Sequence, residues 1–172
     1  NWKAYATGKN PGKLGIFWWE NIDIEDERVY YPSNRKHDHD AFWQLLSEEM
    51  PVGIVGVPTT HPPSPVNGFH VSGAPDGENS GYAYPKSVED ELNNKFDYRV
   101  RKKHQLKDQR EAAVSELLDL IDLRFRAARY LCEIYDVDFL QVTTFYINSL
   151  HHYLWDADAT LEAWKLIDDH LG

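Results

Sequence analysis

Cysteine, long apolar runs and excess basic charge are all scarce in this sequence. Its single cysteine, Cys132, cannot form a disulfide within the chain and fits a reducing compartment, so we expect a cytoplasmic protein. No apolar run approaches the roughly 20 residues of a membrane span, and the first residues show no secretory signal pattern, which argues against a membrane partner. The formal net charge of −10 argues against duplex nucleic acid as the main partner.

The 172 residues are 42% hydrophobic and 13% aromatic, enough to bury a sizeable core. Asn1–Gly8 has aromatic residues at helical spacing and a glycine where a helix cap would stand. Such a pattern is typical of an internal segment of a longer chain. We therefore predict a single α/β domain over 1–172 that is a fragment of a larger domain. Long loops are expected over residues 20–40 and 61–85, where polar, glycine and proline residues dominate.

One stretch, VDFLQVTTFYINSLHHYLW (Val137–Trp155), organises the rest of the chain. Its first part, Val137–Tyr146, is rich in β-branched and aromatic residues and predicts a buried central strand. Asn148 and Ser149 are turn formers, and two histidines follow them. Open α/β sheets place their chemistry just outside the carboxyl ends of such strands.

Two interpretations of the histidine pair remain open. Adjacent histidines in a soluble domain commonly serve surface or packing roles. Alternatively, Asn148 and His152 are four residues apart and would share a face of a helical turn, where imidazole can bind a divalent metal. An asparagine amide is a poorer zinc ligand than a carboxylate or thiolate, so the metal site would be partial.

A second apolar strand is predicted over Val52–Val57, and a stretch with four prolines follows it. Because prolines restrict the backbone, such a loop can hold polar groups in place for a ligand at the end of a strand. Thr59, Thr60, His61 and Asn67 are the candidate ligand-binding residues. The alternative is that the loop is a rigid connector with no ligand.

The most regular helical pattern begins near Asp108, a candidate cap. Its apolar residues follow steps of three and four, which predicts a core-facing stripe. The stripe consists of Val114, Leu118, Ile121, Phe125, Ala128, Cys132 and Tyr135, and it is widened by Leu117, Leu120, Leu131 and Ile134. A last helix is expected from Asp158, with Leu161, Trp164, Ile167 and Leu171 on its inner side. A short strand is expected over Tyr98–Val100, and the run Ile16–Trp19 is expected to pack on the core.

Three parts of the chain together resemble a known family. They are TGKNPGKLGIF (Thr7–Phe17), VGVPTTHPPSPVNGFHVSG (Val55–Gly73) with the later YAYP (Tyr82–Pro85), and INSLHHYLW (Ile147–Trp155). In order and spacing they look like the type I phosphodiesterase/nucleotide pyrophosphatase branch of the alkaline phosphatase superfamily. The resemblance implies an alkaline-phosphatase-like α/β fold with a partial, mostly parallel sheet flanked by helices.

The resemblance also implies an activity. Family members bind two metal ions, usually zinc, beside a Thr or Ser nucleophile and hydrolyse phosphate mono- or diesters through a covalent phospho-enzyme. One metal lowers the pKa of the nucleophile and the other activates water or stabilises the leaving oxygen. The expected partner is therefore a phosphate ester or nucleotide, with Thr60, His61 and Asn67 near the substrate.

Only part of the family site falls within this chain. The family's Asp-x-x-x-His ligand pair falls on Asn148 and His152, so at most one partial metal site is expected. By the resemblance, the nucleophile lies upstream of Asn1, and other ligands lie upstream of Asn1 or beyond Gly172. A histidine that often precedes the Gly-Ile of the first motif is replaced by Leu14.

These departures leave three functions open. The first is a metal-dependent phosphoesterase acting on phosphodiesters or pyrophosphates, of which this chain is an incomplete central part that is inactive alone. The second is a non-catalytic, metal-free relative that acts as a binding or scaffolding module, which Asn148 and Leu14 favour. The third is a sulfatase or a phosphomutase of the same superfamily. A homo-oligomer is also expected, because a fragment of a parallel sheet exposes apolar strand edges.

Overall fold

The structure, a computed structural model, describes residues 2–18, 20–30 and 39–172. The loop predicted over residues 20–40 therefore lies partly outside the described residues. The helices and strands are, in chain order, α1 (Trp2–Thr7), α2 (Pro11–Leu14), β1 (Asn21–Asp23), β2 (Arg28–Tyr30), α3 (Phe42–Leu46), β3 (Val52–Val57), β4 (Gly68–Ser72), β5 (Ala83–Tyr84), α4 (Lys86–Phe96), α5 (Arg110–Tyr135), β6 (Phe139–Val142), α6 (Tyr146–Leu154) and α7 (Asp158–Leu171).

The main sheet has four strands in the order β5-β4-β3-β6. Strand β3 pairs in parallel with both β4 and β6, and only β5 is antiparallel to its neighbour. Helices lie on both faces of this sheet, so the predicted α/β fold class with a mostly parallel sheet is confirmed. Strands β1 and β2 form a separate antiparallel hairpin within the stretch that was expected to be a loop.

Strand β3 lies at the centre of the fold and is buried along its whole length, as predicted for Val52–Val57. Its side chains alternate between the faces of the sheet, so Val55 joins one hydrophobic cluster and Ile54 joins the other. At Gly56 the pairing register with β4 shifts and φ is +77°. A Cβ at Gly56 would lie 2.3 Å from the Thr143 carbonyl oxygen, so the close approach of β3 to the segment after β6 requires glycine.

Helix α5 covers one face of the sheet, and α4, α6 and α7 pack around it. The helix itself was predicted correctly, and its buried face lies toward Leu117, Leu120 and Leu131, which were expected to widen the stripe, rather than along the centre of the stripe. Ile121 and Ala128 are buried as expected, whereas Cys132 is only half-buried. The centre of the buried face is formed by Ala113, Leu117, Leu120, Ala127 and Leu131. The apolar stripe is wide, and the packing against α6 and α7 selects which of its edges is covered.

The other face of the sheet is covered by α1 and α3. There Ala6, Trp43, Ile54 and Val57 form a smaller hydrophobic cluster. The sheet is thus enclosed between two helical layers, the arrangement that parallel strands require because both of their faces must be buried. No helix among the residues that the structure describes is long and apolar enough to cross a bilayer.

The strand predicted over Val137–Tyr146 is shorter than expected. Strand β6 spans only Phe139–Val142, is partly exposed, and is the outermost strand of the described sheet rather than a central one. Tyr146 already belongs to α6, whose residues include Asn148 and Ser149, so the turn predicted there is wrong. β-branched and aromatic residues favour strands because they pack well on a half-buried sheet. Here the same residues are better buried in a helix, where Tyr146, Ile147 and Leu150 lie in the core.

Two further expectations are corrected. Tyr98–Val100 is not a strand, because the Val100 N–H donates to the Asn79 side chain and the Val100 carbonyl accepts from the Tyr146 hydroxyl. In α7 only Ile167 of the predicted inner residues is buried, alongside Thr160 and Ala163. The small residues of α7 face α5 and α6, which allows the helices to pack closely, and three of its large residues are exposed to solvent. These exposed residues are Leu161, Trp164 and Leu171.

Candidate functional site

Loops from three neighbouring strands meet at the carboxyl edge of the sheet. Residues 58–61 follow β3, residues 73–76 follow β4, and residues 143–145 lead from β6 into α6. Parallel strands place their carboxyl ends on the same edge, so these segments come together although they are far apart in the chain. This is the edge at which the sequence predicted a functional site.

Asp76, from the loop after β4, organises the loop after β3. Its Oδ1 accepts a 2.6 Å hydrogen bond from the Thr59 N–H, and its Oδ2 accepts a 3.2 Å bond from the His61 N–H. Thr59 has a φ of +62°, a strained conformation for a β-branched residue. Burial raises the pKa of Asp76, although the two backbone bonds act in the opposite direction. Asp76 therefore holds Thr59 in a position that the local chain would not adopt by itself.

A pocket of about 290 Å³ opens above these loops. Three polar side chains reach it, those of Thr59, Asn148 and His152. The remaining lining is apolar and mostly aromatic: Trp2, Ile16, Phe17, Trp18 and Phe145. Such a mixture of aromatic walls and a few convergent polar groups is typical of small-molecule sites.

Helix α6 places Asn148 and His152 in the pocket. The two residues are one helical turn apart, so they face the same side of α6 as the sequence spacing predicted. Phe145 stands just before the helix and meets the ring of Trp2 edge-on, with 6.3 Å between the ring centroids. The aromatic contact joins α1 to α6 and closes one side of the pocket.

The other predicted ligand-binding residues lie elsewhere. Thr60 is buried beneath the loop, where its hydroxyl donates to the Val57 carbonyl at 2.6 Å. His61 is partly buried beside Asp76, and its Nδ1 has no hydrogen-bond partner among the described residues. Asn67 is exposed immediately before β4, where its carbonyl accepts from the Val52 N–H at 2.7 Å. Asn67 is thus at the amino end of the sheet, opposite the pocket, and Thr59 is the residue of this loop that lines it.

Sequence reasoning missed the aromatic walls. The run Ile16–Trp19 was expected to pack on the core, and Ile16 does, but Phe17 and Trp18 are 67% and 71% exposed. Trp19 lies outside the described residues. They follow the short helix α2, which Asn10 caps at its start and Gly15 ends in the left-handed conformation. An aromatic pair directly after a Gly/Pro-rich segment was the available signal for a binding wall.

The sequence analysis also did not identify two buried ionisable groups, Lys3 in α1 and His70 in β4. The side chain of Lys3 is only 3% exposed, and burial lowers the pKa of its amine to about 8, while the charge of Asp76 offsets part of this effect. His70, on β4, is fully buried, and burial lowers its pKa to about 4, so it is neutral at pH 7. Strongly perturbed groups next to a pocket are enriched at functional sites, but no local pattern around Lys3 in the sequence shows that it is buried.

The pocket residues do not make up a complete metal site. His152 offers an imidazole nitrogen and Asn148 a neutral amide oxygen, and metal sites in proteins normally take three or four protein ligands. Within residues 2–18, 20–30 and 39–172, no group of three or more His, Cys, Asp or Glu side chains is placed to hold a metal ion. The described residues therefore fit one partial site and no more.

The fold is that of an α/β protein with a mostly parallel sheet, and its polar and aromatic pocket lies outside the carboxyl ends of the strands, where such proteins commonly bind small ligands. A family model described as type I phosphodiesterase/nucleotide pyrophosphatase matches residues 1–172, and the chain belongs to this family. Together with the sheet, this match confirms the alkaline-phosphatase-like fold class. Comparisons with curated proteins and with solved structures gave no match.

Proposed function

We propose that this chain supplies the substrate-binding part of a phosphoesterase that hydrolyses phosphodiesters or pyrophosphates of small molecules. The observation that carries the proposal is the convergence of Thr59, Asn148 and His152 with aromatic walls in one pocket. Family membership indicates a phosphate ester or a nucleotide as the ligand. A cytoplasmic location is part of the same proposal and is supported by the single cysteine.

The two kinds of wall suit the two parts of such a ligand. Aromatic rings such as those of Trp2 and Phe145 can stack on a nucleobase or another planar group, an interaction that tolerates different bases. The Asn148 amide and the His152 imidazole can donate hydrogen bonds to phosphoryl oxygens. The pocket thus separates a stacking side from a hydrogen-bonding side.

The family is generally metal-dependent, and a bound divalent ion, which we propose is zinc, would supply Lewis-acid stabilisation of the phosphoryl oxygens. Of the described residues, His152 is the one suited to be a ligand, with the Asn148 oxygen as a weaker second. The further ligands that a functional site needs would come from outside the described residues. We therefore attribute binding and orientation of the ester to this chain.

The test is hydrolysis of bis(4-nitrophenyl) phosphate by the full natural protein, with and without added zinc or manganese. His152→Ala should lower kcat/KM by a factor of about 100 or more, since loss of a supporting residue at a metal site already costs 10- to 100-fold. Tyr153→Ala is the matched control, because Tyr153 is exposed on the same helix outside the pocket. Equal activity of the two variants, or no activity with either metal, would contradict the proposal.

The second candidate function is a non-catalytic, metal-free binding module. The neutral amide at Asn148 favours it, because an amide is a weaker metal ligand than the carboxylate that the family pattern has at this position. The module would bind a nucleotide in the presence of a chelator and release it unchanged. Metal content of Asn148→Asp in the full natural protein separates the two functions: a gain of metal supports a degraded metal site, and unchanged content supports the binding module.

A further inference from the structure

A second pocket lies at the junction of α6 and α7. Its volume is about 370 Å³. The lining combines aromatic rings with two carboxylates and a few small or aliphatic groups. These residues are His151, Trp155, Asp156, Ala157, Asp158, Thr160, Leu161 and Trp164. None of them lines the pocket at the carboxyl edge of the sheet.

The two pockets use different faces of the same helix. Asn148 and His152 are one turn apart on α6 and face the first pocket. His151 and Trp155 are also one turn apart, and they face the second pocket. The adjacent histidines therefore line two different pockets.

His151 stands between two indole rings. Trp164 Nε1 donates a 3.0 Å hydrogen bond to His151 Nε2, and the two rings stack at 5.7 Å with an interplanar angle of 26°. The ring of Trp155 meets His151 at 5.0 Å and 65°. The three rings form an aromatic wall that is held together by their own contacts.

The indole rings remain accessible. Trp155 is 68% exposed and Trp164 is 49% exposed. Tryptophans usually bury much of their large apolar surface, so two accessible indoles beside one cavity need an explanation. The face of an indole carries negative electrostatic potential, which attracts an organic cation.

Two carboxylates give the pocket its charge. Asp156 and Asp158 are exposed, and neither forms an ion pair with any residue in the described part of the chain. Asp158 begins α7, where a carboxylate is favoured by the helix dipole, but Asp156 precedes the helix and gains little from it. Among residues 2–18, 20–30 and 39–172, no Lys or Arg lines the pocket. A negatively charged ligand is therefore disfavoured, and a cation is favoured.

We propose that this pocket binds an organic ammonium cation, of the quaternary or methylated amine class, between its aromatic wall and its two carboxylates. Methylated ammonium groups suit such a site because they lose little hydration and present apolar methyl groups to aromatic faces. The proposal does not depend on the phosphoesterase function, since the site shares no lining residue with the first pocket.

The experiment follows the indole N–H signals of the full chain by 15N-edited NMR during titration with choline. The signals of Trp155 and Trp164, assigned from Trp155→Phe and Trp164→Phe variants, should shift and saturate, while those of Trp2 and Trp18 should not. The uncharged isostere 3,3-dimethyl-1-butanol should bind more weakly by about three- to thirtyfold, the range expected of cation–π attraction.

Asp156→Asn should weaken choline binding, whereas Glu162→Gln, an exposed acid on α7 outside the pocket, should leave it unchanged. Both positions are on the surface, so neither variant depends on refolding of the core. Equal binding of choline and its neutral isostere would overturn the proposal, as would equal binding by the two variants. Signal changes that follow protein concentration instead of choline would show that a second copy of the chain covers the pocket, and would also overturn it.

Discussion

We expect the contribution of Lys3 to the stability of this protein to rise between about pH 7 and pH 9.5, because folding buries its amine. The pKa of this amine falls from 10.5 in the unfolded chain to about 8 in the folded protein. Within this window the unfolded chain keeps the proton and the folded protein loses it. Stability increases with pH wherever the unfolded state binds more protons, so the slope is positive.

The size of the effect follows from the pKa values. A depression of about 2.5 units corresponds to a penalty of about 3 kcal/mol when the amine is fully charged in both states. Between pH 7 and 9.5 the folded protein loses the Lys3 proton, and the free energy of unfolding increases by about 2 kcal/mol as the penalty is removed. Above pH 10 the trend should reverse, because burial raises the pKa of Tyr82 and of Tyr98 and their unfolded forms then ionise first.

The assay is urea unfolding of the wild type and of Lys3→Met at pH 7, 8, 9 and 9.5, using circular dichroism. The wild type should gain about 2 kcal/mol across the series relative to the variant. Lys13→Met is the matched control, because Lys13 is exposed on α2 and should keep the rise. If Lys3→Met follows the same pH dependence as the wild type, Lys3 does not titrate as a buried amine.

Two further substitutions test the packing around the site. Gly56→Ala should lower the free energy of unfolding by about 2–5 kcal/mol, because this position combines a positive φ with a 2.3 Å approach of the added Cβ to a backbone oxygen. The control Gly12→Ala should lower it little, because its Cβ would have no contact under 3.4 Å. Equal losses for the two variants in urea unfolding would contradict this. Glu116→Ala should lower the free energy of unfolding by about 2–4 kcal/mol, because the Glu116 carboxylate accepts hydrogen bonds from the Lys103 and His104 N–H groups. In thermal unfolding, the control Glu111→Ala should lose much less stability, because Glu111 is exposed.

Local patterns were sufficient for several parts of the fold. The hydrophobic run Val52–Val57 predicted the central strand, and the three-four spacing after Asp108 predicted the helix Arg110–Tyr135. Periodicity succeeds here because burial on one or both faces repeats along a regular backbone. It does not resolve which edge of a wide apolar stripe is covered, and in α5 the structure covers the edge formed by Leu117, Leu120 and Leu131.

The site was predictable only in part. The spacing of Asn148 and His152 placed both on one face of α6, and the structure brings them to one pocket. Nothing near Trp2 or Asp76 in the sequence indicates that either lies at the same edge of the sheet. The substrate roles of Thr60, His61 and Asn67, and the metal roles of Asn148 and His152, remain predictions.

By itself, the sequence determined the family and the α/β class, because these depend on residue type and on the spacing of a few positions. Only the tertiary structure decided that Thr59 lines the pocket, that Lys3 is buried, and that adjacent histidines on α6 serve two different pockets. Each of these depends on contacts between segments far apart in the chain. Such contacts are determined by many small burial energies added over the whole fold, and a local sequence pattern does not contain this information.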